Sequence, residues 1–219
     1  MEVSNMEMPK GWELEVFKFF LSFVLLLISW TIGKKLLGFW EKKRRLREIS
    51  LEIRSKFHEA YGNFKSLVRM WNILGKPSQL DEDSELIKAA VDAEGRVEEL
   101  LISVSAVKHL RPDDITTLGL LRQGYQTVRQ AIEKGESEKV PYNYKSDQYR
   151  LFNTLMTEVS RLMATAKEDP NSDKSSNNFA KIVGVRSKHW EKAVELTSQK
   201  MPLKDIVKKI TNLRSRKTC

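Results

Sequence analysis

Few side chains in this sequence have a type and spacing suited to chemistry. Its three histidines are His58, His109 and His189, and no two stand three or four residues apart. A zinc or di-iron site needs ligands that converge, through such helical spacings or through paired cysteines. The single cysteine, Cys219, excludes a Cys-based zinc site and an internal disulfide framework. Carboxylates cluster at Asp81, Glu82, Asp83 and Glu85, at Glu98 and Glu99, and at Asp113 and Asp114. The first and third groups stand where helices should begin, and compensation of the helix dipole accounts for them. The sequence holds no Glu-x-x-His pair, no phosphate-binding G-x-x-x-x-G-K-[ST] loop, no G-x-G-x-x-G turn and no G-x-S-x-G elbow. We therefore expect no catalytic centre, no metal and no cofactor.

The charge distribution carries more information. The 219 residues sum to +9, unevenly spread: residues 1–33 carry −2, residues 34–71 carry +7, residues 72–178 carry −4 and residues 179–219 carry +8. A mildly acidic middle is flanked by two basic stretches, which points to anionic partners for those stretches: phospholipid headgroups or nucleic acid. The hydrophobic share of 41% leaves enough apolar residues for a modest core and excludes a wholly disordered chain.

The element that dominates the N-terminal part is apolar. Phe19 to Gly33 reads FFLSFVLLLISWTIG, fifteen residues without a charge, of which ten are Phe, Leu, Val or Ile. Those ten favour insertion into a bilayer by about 3 to 6 kcal/mol. Extended back to Val16, the segment would span roughly 27 Å as a helix, close to the thickness of a hydrocarbon core. Lys18 can snorkel at one end, and Trp12 and Trp40 fall where aromatic belts are expected. Glu2, Glu7, Glu13 and Glu15 precede the segment. Lys34, Lys35, Lys42, Lys43, Arg44, Arg45 and Arg47 follow it and are the expected contacts with the membrane surface. Basic residues are retained on the cytoplasmic side, so the N-terminus should lie outside and the bulk of the chain inside. A cleaved signal peptide fits poorly, because the leading residues are acidic and no Ala-x-Ala pattern follows.

The elements beyond it read as helices. Leu46, Ile49, Ile53, Phe57, Ala60, Phe64, Leu67, Trp71 and Leu74 recur in steps of three and four, a nearly heptad, coiled-coil-like stripe that Gly75 and Pro77 should end. A second helix should start near Ser84 and carry Leu86, Ala90, Ala93, Val97, Leu101 and Val104. A third should open at Pro112, carry Ile115, Leu118, Leu121, Tyr125, Val128 and Ile132, and stop at Gly135. A loop over 136–145 should lead to a fourth, capped by Ser146, with Phe152, Leu155, Val159, Leu162 and Ala166 on its apolar face. The expected fold is all-α: residues 1–15 a short non-cytoplasmic stub, 16–33 a transmembrane helix, 34–168 a cytoplasmic bundle of about four helices, 169–178 a polar linker, and 179–219 a basic amphipathic helical tail.

The expected function follows from this layout. We read a single-pass protein of the cell membrane whose cytoplasmic bundle binds a protein partner, or a second copy, as anchor, adaptor or regulatory subunit. An alternative from another class is a membrane-acting effector whose spanning helices cluster and permeabilise the bilayer. Ser22, Ser29 and Gly33, small residues on one helical face, would be the contact. In the tail, Lys204, Lys208, Lys209 and Arg214 surround an apolar stripe and could meet a partner or anionic lipid. A membrane-tethered nucleic-acid binder is the least favoured reading, since few residues follow Ile210 for a recognition helix.

Overall fold

The computed structural model describes residues 12–74, 84–136, 140, 145–167 and 175–215. The acidic residues 1–11, the Gly75–Pro77 stop, Asp81, Glu82 and Asp83, most of the 136–145 loop, residues 169–174 and residues 216–219 lie outside them. Among the described residues the chain is all-α, with seven helices and no strand: α1 (Trp12–Ile73), α2 (Glu85–Val107), α3 (Pro112–Glu133), α4 (Asp147–Thr165), α5 (Ser175–Val183), α6 (Ser187–Ser198) and α7 (Leu203–Ser215). It divides into two compact units, residues 1–48 and residues 49–219, with the boundary inside α1.

Local signals set several helix ends in the second unit. The Ser84 hydroxyl accepts from the Leu86 N–H at 3.3 Å and caps α2, and the Ser146 hydroxyl accepts from the Tyr149 N–H at 3.1 Å and caps α4. Pro112 opens α3, where Asp114 accepts from the Arg111 N–H at 2.9 Å and from its guanidinium at 3.0 and 3.1 Å. Gly135 ends α3 with φ 68°, the Glu136 N–H donating back to the Ala131 carbonyl at 2.8 Å. The same closure ends α6, where the Met201 N–H reaches the Leu196 carbonyl at 3.2 Å. There a lysine, Lys200, holds the left-handed position at φ 59°.

The apolar stripes of α1 to α4 are the core. Ile53, Phe57, Ala60, Phe64, Leu67 and Trp71 of α1 are buried, as are the expected stripe residues of α2 and α3 and, in α4, Phe152, Leu155, Val159 and Leu162. Of the expected stripe residues, Leu46, Ile49 and Ala166 are only half-buried, and Leu74, just past the end of α1, is exposed. Aromatic rings join three helices: Phe64 stacks on Phe152 with centroids 4.0 Å apart, and Tyr125 lies 5.1 and 5.3 Å from the two. The Tyr125 hydroxyl donates to the Ala60 carbonyl at 3.1 Å, and burial pushes its pKa far above the ordinary 10.

Helix α3 is central, and its stripe is only part of what it buries. Every residue from Asp114 to Leu121 is buried, including Thr116 and Thr117, whose hydroxyls donate to the carbonyls of Pro112 and Asp113. The cause is the tail. Helices α5, α6 and α7 all pack against α3, and α6 also packs on α4. Ile182, Val185, Trp190, Ala193, Leu196, Ile206, Val207 and Ile210 are buried there. The apolar stripe of residues 179–219 thus belongs to the core of the second unit, and α5 begins at Ser175, inside the segment read as linker.

Candidate functional site

Within the first unit, the side chains from Val16 to Trp40 point outward. Phe19 is 77% exposed and Leu26 65%, with Phe17, Phe20, Leu37 and Phe39 comparable. Among the described residues one helix, α1, is long and apolar enough to cross a membrane, and none of its apolar window is buried. A core helix of a soluble protein shows the opposite, because burying each large apolar side chain yields about 1.5–3 kcal/mol that exposure to water forfeits. The basic flank shares this outward placement. Lys34, Lys35, Lys42, Lys43, Arg44, Arg45 and Arg47 are all exposed. The Lys34 ammonium lies 5.0 Å from the centroid of the Trp30 ring, and Arg44 donates to Glu48 at 2.9 Å, one turn on. Ser22 and Ser29 are exposed, and nothing lies within 4 Å of where a Cβ on Gly33 would stand.

The side chains weighed for catalysis do not converge. No group of three His, Cys, Asp or Glu able to hold a metal occurs among the described residues. His58 and His109 are exposed, while buried His189 accepts the Arg186 N–H on Nδ1 at 2.9 Å. The carboxylates have cationic neighbours instead. Glu98 holds Arg122 at 2.6 Å, Glu99 holds Lys56 at 2.7 Å, and Glu94 pairs with Arg129. These pairs tie α2 to α3 and to α1.

In the tail the basic residues separate. Lys204, Lys208 and Lys209 are exposed on α7, while Arg214 turns inward and is half-buried. Its guanidinium donates to the Thr116 hydroxyl at 3.2 Å and to the Lys181 carbonyl. Thr211 joins them, its hydroxyl donating to Thr116 Oγ1 at 2.9 Å. Sequence spacing could not bring Thr116 to Arg214, since these residues are 98 positions apart.

Comparison of the chain with protein-family models, with curated proteins and with solved structures finds no match.

Proposed function

We propose that this protein is anchored in the cell membrane by residues 16–33 of α1, with a short N-terminal stub outside and the helical second unit in the cytoplasm, where it binds a protein partner as an anchor, adaptor or regulatory subunit. The observation that carries the anchor is the outward-facing apolar surface from Val16 to Trp40 directly followed by an outward-facing basic flank. Lipid tails satisfy the first, and anionic headgroups of the inner leaflet attract the second at ~1 kcal/mol per Lys or Arg. A partner is supported by α2, which presents Val91 and Ile102 on its outer side, each 50% exposed. Eleven residues separate them, so they stand within about 20° of one another around the helix.

The native Cys219 makes the orientation measurable. In intact spheroplasts an impermeant maleimide should leave Cys219 unlabelled until the membrane is opened, while a cysteine placed at Asn5 in a Cys219→Ser background should label at once. The reverse pattern, or recovery of the full chain in the supernatant after ultracentrifugation, refutes the anchor. For the partner, crosslinking in membranes should give one discrete adduct with the native chain and lose it with Val91→Glu and Ile102→Glu together. A chain that remains a solitary monomer refutes that part.

A further inference from the structure

We propose that the cavity between the start of α3 and helices α5, α6 and α7 is a binding site for a phosphate group, borne by a small phosphate ester or by a lipid headgroup. The cavity holds about 620 Å³ and lies entirely within residues 112–215, so the site stands whether or not α1 crosses a membrane. Its volume falls in the range of small-molecule sites and far exceeds a lone phosphate, and Pro112 and Ile115 supply an apolar wall for the rest of a ligand.

The sign of the charge decides the ligand class. Arg214, Lys181 and Arg186 line the cavity, and no carboxylate is among the described residues that line it. A guanidinium stays charged at any physiological pH, and partial burial of that charge is unfavourable unless an anion or several acceptors compensate. The half-buried arginines Arg122 and Arg129 follow the rule, each holding an acidic side chain. Among the described residues, the acceptors that hold Arg214 are neutral, the Thr116 hydroxyl and the Lys181 carbonyl, and burial lowers its pKa. Two of its five N–H groups are engaged in these bonds, so donors remain for the oxygens of a ligand. Two further lining cations, Lys181 and Arg186, beside this guanidinium suit a group of charge near −2 with several acceptor oxygens, which is a phosphate monoester rather than a carboxylate.

The test uses the full chain in phosphatidylcholine nanodiscs and inorganic phosphate as probe, titrated calorimetrically at constant chloride. We expect saturable binding with one site per chain. Lys181→Gln removes a lining charge yet keeps the Lys181 carbonyl that holds Arg214, and should weaken phosphate about tenfold, the loss expected for one charge-assisted hydrogen bond. Arg214→Gln should abolish binding. Should that variant fail to fold by circular dichroism, Arg214→Lys, which keeps the charge and loses the guanidinium, serves in its place. Lys192→Gln removes an equal charge from a side chain paired with Glu195 and outside the cavity, and should leave binding unchanged. Nanodiscs doped with phosphatidic acid identify the source. If the lipid suppresses the phosphate heat, the headgroup occupies the site; if the heat persists, the natural ligand is a soluble ester. Absence of saturable binding, or equal weakening by Lys192→Gln and Lys181→Gln, overturns the proposal.

Discussion

A Cβ on Gly119 would stand 2.8 Å from the Ile182 carbonyl and collide with the Val185 side chain, whereas one on Gly95 would meet nothing within 4 Å. The two glycines look alike in sequence, each inside a helix. Gly119→Ala should destabilise the second unit by about 1–3 kcal/mol through overpacking, and Gly95→Ala should stabilise it by about 0.5–1 kcal/mol through helix propensity. Urea denaturation of both variants checks the contrast; equal effects would mean that α5 does not approach α3 so closely. Lys200 is the opposite case, a side chain where glycine belongs. Its φ of 59° is strained for an L-residue, so Lys200→Gly should raise stability by about 1 kcal/mol in the same assay.

Between elements, exposed ion pairs trim what the core decides. Lys56 of α1 bridges Glu99 of α2 and Glu52 of its own helix. The hydrogen bond to Lys56 lowers the Glu99 pKa below its ordinary 4.5, and the hydrogen bonds to Glu99 and Glu52 raise that of Lys56 above 10.5. The signs set a window. The Glu99 contribution is present above pH 4.5 and is lost as pH falls through the depressed folded value. The Lys56 contribution is present below pH 10.5 and is lost as pH rises through the raised one. Glu99→Gln should therefore lower stability slightly at pH 7 and reduce the acid-side slope, with the effect shrinking in high salt. Denaturation at pH 4 and pH 7, at two salt concentrations, reads this directly; an unchanged slope would show that the bridge contributes nothing. The helices themselves were legible, because Ser84, Ser146, Pro112 and Gly135 act within one turn of the chain. The degree to which α3 is buried was not. Its stripe marked one face, and the other faces carry Thr116, Thr117 and Gln123, polar side chains that suit burial only with hydrogen-bond partners that propensity does not specify.

For the whole molecule the decisive quantity is the transfer free energy of residues 16–33. An arginine at the centre of a spanning helix costs about 2.5–3.5 kcal/mol, comparable to the roughly 3–6 kcal/mol that the ten large apolar residues supply. Under the proposed anchoring, Leu26→Arg should shift a large share of the chain from the carbonate-resistant membrane fraction to the soluble or aggregated fraction, while Leu26→Val should not. Retention of the arginine variant in the membrane would mean that another part of the chain anchors it.

The sequence by itself determined that this chain is helical, where the second, third and fourth helices begin, which of their residues enter a core, and that one helix is oily enough for a bilayer with a basic flank beside it. These are local properties, set by spacings of a few residues and by side-chain chemistry that acts over one or two turns. Tertiary structure alone decided that the basic tail covers α3, that Gly119 is a contact point, and that Arg214 meets Thr116 and the Lys181 carbonyl beside a cavity. Those facts depend on which amphipathic faces pair with which. Several stripes of similar width and hydrophobicity can satisfy one another pairwise, and only the simultaneous packing of all of them selects the arrangement.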